Sequence, residues 1–230
     1  MSLTFEKVLS LHKQKGLYRE RKVLQSLAGM QRRYNDKNFC SFSSNDYLGL
    51  AKHPAVIKSF KQAADDYGVG SGSSHFLGAY NRFHHELELA LAEFLNFPKV
   101  LVFSTGYMAN LGILGSLLQR DAAIFADKLS HASLIDGAKL TGASFKRYLH
   151  NNLASLERHL LHSIARRKFI MTDGVFSMDG DIALLPSLIE IAQRFSSTLL
   201  VDDAHGIGVL GKNGMGICEY FGCKPDILSG

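Results

Sequence analysis

The sequence predicts an α/β protein built on a mostly parallel, doubly wound sheet, with a small amino-terminal helical arm. Three observations carry this expectation. From Lys99 onward, short apolar runs alternate with longer stretches of helical periodicity, the pattern of parallel strands joined by right-handed helical crossovers. Several of those runs end abruptly in glycine, histidine, serine or aspartate, as strands do at the edge of an open sheet where ligands bind. Finally, 230 residues that are 46% hydrophobic and 20% charged, with only 4 prolines, suit a globular body large enough for a full core.

The arm comes first. Leu3 to Leu27 carries apolar residues at Phe5, Val8, Leu9 and Leu11 in a helical stripe that Gly16 interrupts. The basic residues Arg19 to Lys22, with Arg32 and Arg33, fall in this helical-looking region and read as a solvated face. Phe39 to Phe42 is strand-like and runs into a polar turn, Ser43 to Leu50. Pro54 suits a first helical turn and opens a helix to about Asp66. Between Tyr67 and Gly78 four glycines and three serines make a loop whose backbone can approach a ligand closely. Arg82 to Leu95 is an amphipathic helix. Strands are expected at Val100–Phe103, Ala122–Phe125, Ser144–Leu149, Lys168–Thr172, Thr198–Asp202 and Asp226–Ser229, and helices at Met108–Leu118, His131–Leu140, Leu153–Ala165 and Leu185–Phe195. Residues 1–45 are assigned to the arm and 46–230 to the large domain.

Composition removes several function classes. No apolar run is long enough to span a bilayer, and Glu6 and Lys7 stand where a signal peptide would be apolar, so a cytoplasmic, soluble protein is expected. The net charge of +5 is dispersed and not interleaved with aromatics, which argues against nucleic acid. Cys40, Cys218 and Cys223 form no C-x-x-C pair, and neither a disulfide scaffold nor a metal site is expected.

The strand ends hold the chemistry. Thr198 to Val201 is followed by Asp202, Asp203, Ala204, His205 and Gly206. That is either an ordinary strand end with solvated acids or a site in which a buried carboxylate meets a cation, such as the protonated nitrogen of a heterocyclic cofactor. Ser104 to Asn110 passes through Gly106 and Tyr107 into a helix start, whose free amides and dipole suit a phosphate. His131 follows another strand, and Ser177 follows a third. A pyridine aldehyde phosphate needs this set: an anion cradle, a flat group to stack on its ring, hydrogen bonds to its phenolic oxygen, and a carboxylate that keeps its ring nitrogen protonated.

The motifs Phe42-Ser-Ser-Asn-Asp-Tyr-Leu-Gly-Leu50, Gly68-Val-Gly-Ser-Gly-Ser-Ser-His75, His131-Ala-Ser133, Val175-Phe-Ser-Met-Asp-Gly-Asp181 and Val201-Asp-Asp-Ala-His-Gly206 resemble those of the α-oxoamine synthases. The resemblance runs from about Arg19 to Gly230. It implies the large domain of an aspartate-aminotransferase-like transferase that uses pyridoxal 5'-phosphate. It further implies that Gly106 and Tyr107 lie by the cofactor phosphate, His131 stacks on the ring, Ser177 and His205 sit near the phenolic oxygen, and Asp202 pairs with the ring nitrogen. His131, Asp202 and His205 are the catalytic candidates, and Arg19 is the candidate for binding an acyl carboxylate at the substrate entrance.

Within the family the chain most resembles the member that condenses L-alanine with a pimeloyl thioester, on coenzyme A or acyl carrier protein, with loss of CO2. A homodimer is implied. Glycine-using relatives with other acyl groups, and a non-catalytic module that keeps the fold, are the rival readings. Family members carry a Schiff-base lysine a few residues past a strand like Asp226–Ser229. Neither Lys212 nor Lys224 holds a comparable place, so the sequence is expected to be an amino-terminal fragment without that lysine.

Overall fold

The computed structural model describes residues 4–24 and 30–230, in two compact units, Met1–Val69 and Gly70–Gly230. Helix α2 (Pro54–Tyr67) belongs to the first unit, where it packs on the 3-10 turn Leu50–Lys52.

In the first unit, α1 spans Phe5–Gln14, and Gly16 follows it with φ of +66°, a left-handed geometry that suits glycine and ends the helix. The ends of the expected Leu3–Leu27 stretch lie outside the described residues. Arg19 is exposed in irregular chain beyond α1. Arg32 and Arg33 are not helical. They lie on β1 (Gln31–Tyr34), paired antiparallel with β2 (Lys37–Cys40). The cause is the two-residue turn Asn35-Asp36, with φ of +47° and +58°, which matches the twist of a tight hairpin.

The second unit begins with a loop and α3 (Arg82–Leu95), which Asn81 caps by accepting from the Phe83 and His84 amides. The expected strand Val100–Phe103 is absent. Its backbone bonds elsewhere: the Val102 N–H donates to the Glu88 carboxylate at 3.1 Å. The Phe103 ring lies against Gly112 of the next helix, α4 (Gly106–Leu117), while Leu101 is exposed. Gly106 and Tyr107 thus follow irregular chain and not a strand.

The other five strands form one parallel sheet: β3 (Ala122–Asp127), β4 (Ser144–Tyr148), β5 (Arg167–Asp173), β6 (Ser197–Asp202) and β7 (Ile227–Ser229), in the spatial order β4-β3-β5-β6-β7. The order reverses between β3 and β5, and in such sheets that crevice at the carboxyl ends is where ligands sit. The crossovers are α5 (Ala132–Thr141), α6 (Leu153–Leu161), α7 (Leu185–Arg194) and α8 (Ile217–Phe221).

Both faces of the sheet are buried, so its central strands read as continuous apolar runs. On one face Phe125, Ile170, Leu199 and Val201 pack with Leu156, Leu160, Leu188, Ile191 and Ile217 from α6, α7 and α8. On the other, Ile124, Ala126, Met171 and Leu200 pack with Leu114 of α4 and Leu134 and Ala138 of α5. Alternation along β6 therefore sends Leu200 and Asp202 toward α4, and Val201 and Asp203 toward α8. Helices α4 and α5 approach closely at Gly137, where a β-carbon would stand 2.8 Å from the Leu114 methyl. Among the described residues no helix is long and apolar enough to cross a membrane.

Candidate active site

The carboxyl ends of β3, β5 and β6 and the amino end of α4 converge on one buried hydrogen-bond chain. Asp202, 8% exposed, closes β6. Its Oδ2 accepts from the Asn110 amide at 2.6 Å, and its Oδ1 from the Ala204 N–H at 3.2 Å. Both donors are neutral. They orient the carboxylate without neutralising it, and a buried anion in that state favours a cationic ligand group.

Asn110 is the hub. From the second turn of α4 its amide also donates to Ser133 Oγ at 2.9 Å, and its Oδ1 accepts from Ser229 Oγ at 2.8 Å. Ser133 Oγ, already an acceptor, gives its own proton to His131 Nδ1 at 2.7 Å, and the Ser133 N–H points at the same nitrogen. Nδ1 is then an acceptor, so the proton of a neutral His131 sits on Nε2. The His131 ring is exposed while its backbone N–H is fixed by Asp173 Oδ1 at 2.9 Å. Burial pushes the Asp173 carboxyl up to about 7; the His131 N–H bond opposes this, and the charges of Asp202 and Asp127 add to it.

The amides of Gly106, Tyr107 and Met108 open α4, and Thr105 Oγ1 caps the Met108 N–H at 3.1 Å. The Tyr107 hydroxyl donates to Asp136 of α5 at 2.5 Å, which anchors the helix start. That bond to Asp136 raises the tyrosine pKa and lowers the aspartate's. Ser177 is exposed on the turn after β5, and His205 is half-buried three residues past Asp202. The chain therefore joins Asp202 to His131, with Gly106 and Tyr107 at the start of the helix that carries Asn110. Arg19 lies in the other unit. Lys212 is exposed on the loop after β6, and Lys224 precedes β7, where its amine donates to the Asn96 carbonyl.

Sequence reading missed Asn110, Ser133, Asp173 and Asp203 as structural partners. A lone amide inside an apolar helix, and a serine two residues past a histidine, were the available signals.

Asp203 is fully buried on the opposite side of the strand from Asp202. Its Oδ2 accepts from the Ile217 N–H at 2.7 Å, tying the loop 206–216 back to the strand end. Burial first, and the Asp202 charge after it, push the Asp203 carboxyl up to about 6, against the opposing Ile217 bond. A raised folded-state pKa means that the native state binds the proton more tightly than the unfolded chain. The stability this contributes is fully present below pH 4 and is lost as pH rises through about 6. Asp203→Asn is expected to remove about 2 kcal/mol of that fall, so in urea melts between pH 4 and 7.5 the stability of wild type should decline with pH more steeply than that of the variant. Equal slopes would refute the assignment.

The family model for aminotransferases of class I and II matches residues 37–225. The chain belongs to that family. Among other members, it is 52% identical to the 8-amino-7-oxononanoate synthase of Nitrosococcus oceani over 90% of this chain and 55% of that one. A serine palmitoyltransferase variant from S. paucimobilis, with a bound PLP–myriocin aldimine, superposes with a TM-score of 0.86 at 31% identity, over 96% of this chain and 56% of that one. The 8-amino-7-oxononanoate synthase of Francisella tularensis gives 0.66 at 38% identity, over 79% and 50%. The chain spans about half the length of the curated relatives it matches. This class I and II aminotransferase-family chain thus has the doubly wound α/β sheet expected of it.

Proposed function

We infer that the chain is the cofactor-holding part of an α-oxoamine synthase that condenses L-alanine with a pimeloyl thioester, releasing CO2 and the carrier thiol and yielding 8-amino-7-oxononanoate. The observation that carries the reading is the buried Asp202 carboxylate, oriented by neutral donors and left with its charge for a protonated ring nitrogen. The donor set fits pyridoxal 5'-phosphate, which when bound supplies an electron sink for a carbanion at the amino acid's α-carbon.

The chain's own residues prepare that sink. Asp202 accepts the pyridinium N–H and keeps the proton on the ring nitrogen. Asn110 and Ser133 hold Asp202 and His131 in one fixed network, so that the imidazole face is presented for stacking. The first amides of α4, at Gly106 and Tyr107, bind phosphate oxygens with the help of the helix dipole. Ser177 and His205 donate to the phenolic oxygen. Arg19 is assigned to the distal carboxylate of the pimeloyl group, and the working enzyme is taken to be a homodimer. Relatives near 50% identity named 8-amino-7-oxononanoate synthase support alanine over the serine implied by the name of the palmitoyltransferase at 31%.

The test uses the full-length natural protein. Saturable uptake of pyridoxal phosphate is expected, with kcat/KM at least about tenfold higher for L-alanine than for glycine, read with pimeloyl-CoA and with pimeloyl-acyl carrier protein. Preference for glycine or L-serine would sink the reading.

A further inference from the structure

His150 stands outside the network just described, yet it touches both loops that carry cofactor contacts. It follows β4, next to Asn151, whose backbone has φ of +47°. Its Nδ1 meets Asp127 Oδ1 at 2.9 Å, and its Nε2 meets Asp181 Oδ2 at 2.7 Å. Asp127 is the last residue of β3, is fully buried, and also accepts the Leu129 N–H at 2.8 Å, at the start of the loop that delivers His131. Asp181 closes the turn that carries Ser177. Its carbonyl accepts the Phe176 N–H at 3.0 Å, and the Gly180 N–H returns to the Phe176 carbonyl at 2.8 Å.

Asn151 repeats the bridge. Its N–H donates to Asp127 Oδ2 at 2.9 Å, and its side-chain amide to Asp181 Oδ2 at 2.8 Å. The buried Phe176 ring stands edge-on to the imidazole at 4.4 Å.

A neutral imidazole has one N–H and can donate to only one of two carboxylates. With an ionised carboxylate within 3 Å of each ring nitrogen, the arrangement is matched by the imidazolium, which donates to both. We propose that protonated His150 is a positioning residue, a clasp between Asp127 and Asp181 that fixes the Ser177 turn to the His131 loop and so sets two sides of the cofactor pocket together. The proposal rests on the assignment of His131 and Ser177 to pyridoxal phosphate.

The charged groups facing the ring are Asp127 from β3 and Asp181 from the turn; Asn151 and Phe176 are uncharged. Tyr148 and Asp173 lie across Asp127 and sense its charge. Burial by itself lowers the imidazole pKa. The hydrogen bonds and charges of Asp127 and Asp181 outweigh it, and His150 ends above the ordinary histidine value. The clasp is therefore complete below the ordinary histidine range and loosens as pH rises through the raised value.

Amide hydrogen exchange on the full-length protein tests this, with rates corrected for intrinsic pH dependence. Residues 174–183 of the wild type should exchange about tenfold faster above the His150 titration than below it. In His150→Gln the same segment should exchange about tenfold faster at low pH, with no pH step, while α7 is unchanged. The dissociation constant for pyridoxal phosphate, followed by absorbance, should rise by about the same factor. Unchanged protection in the variant, or a pH step that survives it, overturns the clasp. If the variant does not fold, the wild-type step decides alone, and its absence overturns the proposal. Wild-type protein that takes up no pyridoxal phosphate would instead overturn the cofactor assignment, and the exchange step would still judge the clasp.

Discussion

Asp202→Asn in the full-length protein is expected to lower kcat/KM by about 10³-fold, about 4 kcal/mol of transition-state stabilisation, with the far-UV spectrum unchanged. Asparagine keeps the size of the side chain but has one accepting oxygen, so it keeps the bond from Asn110 or from Ala204 and not both, and the loss combines the charge with one hydrogen bond. If Asp202 pairs with the ring nitrogen as proposed, loss of the charge would let that nitrogen lose its proton and would weaken the sink for a carbanion. Reconstitution with a cofactor analogue that has carbon in place of the ring nitrogen gives the control. The analogue should cost wild type about as much as the substitution does, and should cost the variant little more. A variant within tenfold of wild type, or analogue and substitution effects that multiply, would remove Asp202 from this role.

Gly206→Ala is expected to destabilise the second unit by about 3 kcal/mol, read by thermal melting as a shift of roughly 6 to 12 °C. A methyl at Gly206 would overlap the Asp203 carboxylate. That carboxylate has nowhere to go, because Gly174 and Gly216 press on it from two other sides and the Ile217 N–H holds it. Gly216 carries a second constraint, its φ of +80°. Asp203→Ala should partly relieve the crowding in the double variant, so that the two effects are strongly non-additive. Additive effects, or a shift below 2 °C, would show that the loop yields and that the glycines are not walls.

Much of this architecture was readable in the chain because its local and global signals agree. Arg82–Leu95 is bounded as expected, since Asn81 caps its start and Asn96 takes the left-handed geometry at its end. The five sheet strands were readable as apolar runs because both faces of the sheet are covered. Val100–Phe103 misled because a short apolar run reads the same whether or not its backbone joins a ladder; here Leu101 is exposed and Phe103 lies against a helix glycine. The Arg32-Arg33 strand was hidden because it is short and polar, while its partner Lys37–Cys40 was read two residues late at Phe39–Phe42; the Asn35-Asp36 turn was the cue that joins them. In the site, Asp202 stood out as an acid after an apolar run. Asn110 did not, since nothing local says that a mid-helix amide will meet residues 92 and 119 positions away. The burial of Asp203 was equally hidden, because two of its glycine walls, Gly174 and Gly216, come from distant parts of the chain.

The paired aspartates at the end of β6 have a consequence for how the protein tolerates change. Because consecutive residues of a strand face opposite ways, Asp202 belongs to the side of α4 and Asp203 to the side of α8. Each is committed to partners the other cannot reach. The pair is not a reserve in which one acid covers for the loss of its neighbour, and a slip of β6 by one residue would exchange the two. The acid meant for a cation would then lie among glycines, and the acid that tethers a loop would face the pocket. On the proposed role of Asp202, strand register is a requirement of the chemistry as well as of the core.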